Sequence, residues 1–203
     1  SNTGSNDGGG IYLTNNSNMN LERIVLYNNT SSFGAAVYVD GSDIEITNVT
    51  ITENTSEIVS TGTGGGIYCN DNANANLENT IVWNNAPDQM AFSPNNDPSS
   101  VTVLYSDIDG GWEGENNIDQ DPLFVEPSYC ENDDSACQVS FTVCEDQSGC
   151  NSVWHPGDYS LTVMSECIDS GTDYYEINGD IIIGIEPIEY IGVGPDMGAY
   201  EYE

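Results

Sequence analysis

The side chains of this chain that could do chemistry are mostly carboxylates. Asp107, Asp109, Glu113, Glu115, Asp119 and Asp121 fall within fifteen residues. The run Asn117-x-Asp119-x-Asp121 alternates oxygen ligands in the manner of a calcium loop. The cofactor this spacing allows is Ca²⁺, with Asp107, Asp109, Asn117, Asp119 and Asp121 as ligands. It is not an EF-hand, because Pro122 stands where that loop needs glycine and no glutamate occupies the twelfth position. Paired carboxylates roughly 5–10 Å apart would suit glycoside hydrolysis. With this many acids, however, some pair meets that distance by chance, and no catalytic constellation stands out. Nucleophilic catalysis through a histidine would have to use His155, the single histidine, in Trp154-His155-Pro156-Gly157. A polysaccharide lyase would find its base and its cation only among Arg23, His155 and the tyrosines. Schiff-base chemistry is excluded, since the chain has no lysine.

Cysteines are the second reactive group. Cys130, Cys137, Cys144 and Cys150 are spaced C-x6-C-x6-C-x5-C, and Cys69 and Cys167 stand apart from them. Zinc sites favour closer pairs. The spacing therefore predicts a disulfide-stapled loop made in an oxidising compartment. The six candidates allow 15 pairings, all left open by the sequence.

The charge sets limits on partners. There are 34 Asp plus Glu against one basic residue, Arg23, and the net charge is −33. Phosphate backbones and anionic lipid surfaces are repelled, so neither nucleic acid nor membrane insertion is expected. No apolar stretch is long enough to span a bilayer. No signal-peptide pattern opens the chain either.

The elements that must position these groups come from an internal repeat. Gly64-Gly65-Gly66-Ile67-Tyr68-Cys69 echoes Gly8-Gly9-Gly10-Ile11-Tyr12-Leu13, with Gly34-Ala35-Ala36-Val37-Tyr38-Val39 as a looser copy. A second echo runs through Leu21-x-x-Ile24-x-Leu26-x-x-Asn29, Ile46-x-x-Val49-x-Ile51-x-x-Asn54 and Leu77-x-x-Thr80-x-Val82-x-x-Asn85. Val103-x-x-Ser106-x-Ile108-x-x-Gly111 is its degenerate fourth copy. The runs are short, β-branched and broken by Asn or Gly, which predicts strands and not helices. A unit that cannot bury its own apolar face must stack on copies of itself, which is the logic of a solenoid. Asn29, Asn54 and Asn85 then share one register, where amides can bond from rung to rung as a ladder. They also suit a left-handed corner. Tyr12, Tyr38 and Tyr68 share another register and are expected to point outward as a surface stripe, able to stack on sugar rings or on a subunit. The glycine triplets read as tight corners.

The later motifs sharpen this picture. Asn79-Thr80-Ile81-Val82-Trp83-Asn84-Asn85, Tyr105-Ser106-Asp107-Ile108 and Gly110-Gly111-Trp112 are followed by Asn117-Ile118-Asp119-Gln120-Asp121-Pro122-Leu123-Phe124-Val125. Then come Asp158-Tyr159-Ser160-Leu161, Ser165-Glu166-Cys167-Ile168-Asp169-Ser170-Gly171-Thr172 and Pro195-Asp196-Met197-Gly198-Ala199-Tyr200-Glu201-Tyr202. Over residues 1–125 and 156–203 this order resembles the right-handed parallel β-helix repeats of secreted bacterial surface proteins, in particular the C-terminal part of the choice-of-anchor Q type. The insert at 128–155 and the scarcity of basic residues depart from it. The resemblance implies an extracellular or cell-surface address and no particular reaction.

The expected fold is all-β: a right-handed parallel β-helix of about four rungs over residues 1–112, with a disulfide-stapled cap over 113–203 that contains the Cys-rich insert at 128–155. The expected function is a non-enzymatic structural or adhesive module. It would associate with itself or with other surface proteins, end to end through an open N-terminal rung. A polysaccharide-binding or polysaccharide-degrading module, with a glycan as partner, is the alternative.

Overall fold

The structure is a computed structural model, and it describes residues 2–58, 62–94, 98–132 and 152–202. The chain winds through four similar turns. The first carries β1 (Ile11–Leu13), β2 (Asn18–Glu22), β3 (Val25–Tyr27) and β4 (Thr30–Ser31). The second carries β5 (Val37–Asp40), β6 (Asp43–Thr47), β7 (Thr50–Thr52) and β8 (Thr55–Ser56). The third has β9 (Ile67–Asn70), β10 (Asn74–Glu78) and β11 (Ile81–Trp83), and the fourth β12 (Met90–Phe92), β13 (Ser100–Leu104) and β14 (Asp107–Ile108).

Equivalent strands of successive turns pair in parallel. They make three four-stranded sheets, β1-β5-β9-β12, β2-β6-β10-β13 and β3-β7-β11-β14. A narrower ladder joins β4 to β8 and is continued by bridges from Thr3 to Thr30 and from Thr55 to Ala86. The register stacks like on like. Leu21, Ile46, Leu77 and Val103 form one inward column, and Leu26, Ile51, Val82 and Ile108 form another. These columns are the core, and most of their members are completely buried. Period-two alternation sends the intervening polar residues outward.

Corners recur at fixed positions. Arg23, Asn48, Asn79 and Tyr105 all take positive φ between the second and third sheets. Asn28, Glu53 and Asn84 do the same just after the third sheet. The left-handed residue there is therefore the one before Asn29, Asn54 and Asn85. Those asparagines are not the corner residues expected; they are freed for side-chain bonding. Gly64 opens the first sheet of its turn at φ +57, and a Cβ on Gly65 would collide with the Ala86 carbonyl. Both the turn and the close approach of rungs require glycine there.

Residues 110–118 close the far end. Tyr105 N donates to Glu115 O at 2.8 Å, Ile118 N to Ser106 O at 2.9 Å and Ile108 N to Ile118 O at 3.0 Å. Trp112 packs on the core, its ring 6.4 Å from that of Phe92.

The rest of the C-terminal region differs from expectation. It lies along the side of the solenoid, against the third sheet, and does not sit over its end. Three antiparallel ribbons belong to it: β15 (Phe124–Glu126) with β18 (Asp158–Leu161), β16 (Tyr129–Asn132) with β17 (Ser152–His155), and β19 (Tyr174–Ile177) with β20 (Asp180–Gly184). The reason is the outward face of the third sheet, which carries Val25, Ile81, Tyr27 and Trp83 in register with Thr50 and Thr52. That face needs a cover. Ile81, Leu161, Cys167 and Met197 form a second buried cluster there, with Trp83, Ile118, Phe124 and Ile168 against it. Backbone bonds fix the cover: Gly198 N to Asn79 O at 2.8 Å, Thr172 N to Asn79 Oδ1 at 2.8 Å and Ala199 N to Thr50 Oγ1 at 3.1 Å.

The expected disulfide staple is not seen. Among the described residues no disulfide is formed, and Cys69 and Cys167 are thiols buried in two different clusters. Cys69 stacks with Val39 and Phe92 in an inward column of the first sheet, whereas Cys167 lies in the cover cluster with Ile81, Leu161 and Met197. Cys130 lies in β16, paired in register with Trp154. Cys137, Cys144 and Cys150 lie outside the described residues.

Candidate functional site

A ladder of side-chain amides runs from turn to turn of the solenoid. Asn29 donates from both its backbone N and Nδ2 to Asn54 Oδ1, at 3.0 and 2.8 Å. Asn54 does the same to Asn85 Oδ1, at 3.0 and 2.8 Å. The ladder continues beyond these three. Asn2 donates in the same way to Asn29 Oδ1, and Asn85 to Gln89 Oε1. Gln89 Nε2 then donates to Asp109 Oδ2 at 3.0 Å. The Asn54 and Asn85 amides also reach backbone: Asn54 Nδ2 donates to Leu26 O and Thr52 O, both at 2.9 Å, and Asn85 Nδ2 to Ile51 O at 2.9 Å and Trp83 O at 3.2 Å. The left-handed residue before each asparagine turns the chain so that its side chain points back into the corner.

The ladder has a direction. Every member accepts from the turn before and donates to the turn after. At the first turn its first described member is Asn2. At the fourth it ends in the Asp109 carboxylate, which accepts from Gln89 and from Asn84 N and has nothing to donate. A second column repeats the pattern at another corner. Val49 N donates to Thr80 Oγ1, Thr80 N to Ser106 Oγ and Ser106 N to Asn117 Oδ1. Asn117 spends its amide hydrogens on Val103 O and Trp112 O.

The five residues placed in a calcium site are thus the residues that finish the last turn. Asp107 accepts from Gln120 N and from the Cys167 thiol, Asp119 from Gly110 N, and Asp121 from Leu123 N. Each is directed at backbone or at a neighbour. Among the described residues no group of three or more acidic, cysteine or histidine side chains is placed to hold a metal ion. Asp107 is fully buried, and burial pushes its pKa up to about 6, with the Gln120 backbone N–H and the Cys167 thiol acting in the opposite direction. Burial also pushes the Cys167 thiol far above its ordinary value, with Asp107 beside it adding to the effect.

Tyr12, Tyr38 and Tyr68 stack face to face with ring centres 5.2 Å apart. They are not the open stripe expected. Tyr38 and Tyr68 are buried with Phe33 and Ala91, and only Tyr12, at the first turn, is half exposed. His155 lies away from the rungs in β17, stacked on Tyr129 at 4.5 Å with Nε2 2.9 Å from Glu131 Oε2. Arg23 bridges the second-to-third-sheet corner to the cover. It donates to Glu189 O at 3.3 Å and lies 3.7 Å from the Glu189 carboxylate.

Three features escaped the repeat. Gln89 follows Asn85 by four residues and not by a full turn, so a search at the repeat spacing passes over it. Glu53 accepts hydrogen bonds from Ser128 and, at 2.8 Å, from Tyr159, both far away in sequence. Asp169 and Asp196 clamp the cover by accepting from backbone: Asp196 from Asp169 N and Tyr202 N, Asp169 from Val193 N and Gly194 N.

Stacked parallel turns, inward aliphatic columns and an axial amide ladder define a β-solenoid. The Right handed beta helix region family matches residues 1–114, more than half of the chain, and the chain belongs to that family. No curated protein and no solved structure matches it.

Proposed function

We propose that this chain is a non-enzymatic structural or adhesive module of an extracellular surface, and that it joins other chains by strand addition at its first turn. The observation that carries the reading is the direction of the ladder. Among the described residues β1, β2 and β3 each pair with one strand, so their outer edges can take a further strand. The fourth-turn end of the ladder terminates in a carboxylate under the closing segment 110–118. At the fourth turn β12, β13 and β14 also have one strand neighbour each, but there residues 115–118 already bond the backbone of Tyr105, Ser106 and Ile108, which favours the first turn for backbone pairing. Two copies can meet first turn to first turn, but such a contact closes on itself and does not propagate into a filament.

Charge supports the same place. Of the 34 carboxylates only Asp7 and Glu22 lie in residues 1–31, together with Arg23, the one strong cation. The strands of the first turn themselves carry few acids, although the cover brings Glu189 to 3.7 Å from Arg23 there. Several acids accept from backbone N–H groups, Asp107, Asp109, Asp119, Asp121, Asp169 and Asp196 among them, and no buried side-chain polar atom lacks a partner among the described residues. That use of carboxylates favours a scaffold over a polysaccharide-degrading enzyme.

The test is sedimentation velocity of the full chain from low to high micromolar concentration, beside a binding and release assay on a polysaccharide panel. The expected result is a reversible monomer–dimer equilibrium with no larger species and no product release. Ser17 O accepts from Asp43 N, so by alternation the Asn20 N–H faces the open edge. Asn20→Pro should therefore abolish the dimer while the fold survives. Release of oligosaccharide, or an open polymer, would overturn the reading.

A further inference from the structure

A groove of about 540 Å³ lies in the cover, lined by residues of 160–161 and 191–202. Leu161, Ile191 and Ala199 supply apolar wall, and Tyr200, Glu201 and Tyr202 line the rest with Ser160. Tyr200 is 48% and Tyr202 37% exposed, so aromatic surface is presented to solvent. Glu201 is held in place from behind. Its two oxygens accept from Ile191 N at 3.2 Å and from Asp196 N at 3.3 Å. Each carboxylate oxygen keeps a further lone pair. Burial raises the Glu201 pKa above its ordinary value and Asp196 adds to this, while backbone N–H groups and Arg23 oppose it.

Two aromatic side chains and a carboxylate around one cleft fit a cation that carries alkyl groups. The ring faces attract positive charge, the carboxylate pairs with it, and the apolar wall takes the alkyl part. No basic residue lines the groove. The chain has no lysine, and Arg23 is engaged by Glu189, so a second copy has no cation to offer. A net charge of −33 concentrates cations at the surface and repels anionic ligands. We propose that this groove binds a small alkylated ammonium, of the trimethylammonium class.

The probe is choline, titrated into the full chain and followed by tyrosine fluorescence and calorimetry. Sodium chloride at matched ionic strength and the neutral isostere 3,3-dimethylbutanol serve as references. The expected result is saturable one-site binding of choline, at least about tenfold tighter than the isostere. Tyr202→Leu and Glu201→Gln should each weaken it about fivefold or more. Tyr200→Phe, which keeps the ring, should bind as the parent does, whereas Tyr200→Leu should not. Equal binding of choline and isostere would overturn the proposal, as would a response no larger than that to sodium. So would equal loss in Tyr200→Phe and Tyr200→Leu, or tighter binding of a neutral oligosaccharide at the same residues.

Discussion

Asn54 has no exposed surface and is bonded on every side: it accepts twice from Asn29 and donates to Asn85, Leu26 and Thr52. Asn54→Ala removes the acceptor for two buried donors and strands two carbonyls. The expected loss is roughly 3 kcal/mol in chemical denaturation, because a buried group left without its partner costs its full desolvation. Asn2→Ala, at the end of the same ladder, should cost well under half as much. Glu78 presents the opposite case. It is buried in β10 beside Glu45, with Thr47 Oγ1 as its hydrogen-bond donor, and burial raises its pKa from 4.5 to about 7. The folded state therefore holds this proton more tightly than the unfolded chain does. The stability it lends is complete below about pH 4.5 and is lost as pH rises to about 7. A shift of this size corresponds to something on the order of 3 kcal/mol. Glu78→Gln should raise the melting temperature at about pH 8 and leave it nearly unchanged at about pH 4. An equal effect at both would show that the carboxyl is not desolvated in the way described.

At the scale of elements, the cover and the solenoid are two packed layers joined at a few backbone contacts. Gly198 sits at φ +99 where a Cβ would lie 2.8 Å from Ile81 Cδ1 and 2.9 Å from Thr50 Oγ1. Gly198→Ala should release the cover while the four turns persist. Limited proteolysis is expected to cut within residues 160–202 first and to leave a resistant core that begins near the first turn. Simultaneous loss of both parts would mean that they fold as one unit. The solenoid was legible in the sequence because each turn repeats the same inward positions, as Leu21, Ile46, Leu77 and Val103 do. The shared register of Asn29, Asn54 and Asn85 was legible for the same reason. The position of the cover was not. The outward column of the third sheet mixes Val25 and Ile81 with Thr50 and Asp107, and the column beside it mixes Tyr27 and Trp83 with Thr52, so neither reads as an apolar face. The acids at 107–121 were conspicuous by spacing, yet spacing alone does not tell a ligand set from a series of backbone acceptors. Here Asp107, Asp109, Asp119 and Asp121 each accept from a nearby N–H, Asp107 also from a thiol, and Glu115 accepts from tyrosine hydroxyls.

For the whole molecule, the direction of the ladder and the distribution of charge point to the same end. The strands of the first turn carry few acids, and at the other end residues 115–118 bond the backbone of Tyr105, Ser106 and Ile108. Repulsion between carboxylate coats should keep the sides apart at low salt and leave the first turn as the place of contact. Residue-resolved hydrogen exchange on the full chain, as a function of its concentration, tests this claim most directly. With rising concentration the account predicts slower exchange at the edge-facing amides of β1, β2 and β3, and no change at residues 110–118. Exchange that is independent of concentration along the first turn, or protection that develops at 110–118 instead, would contradict it.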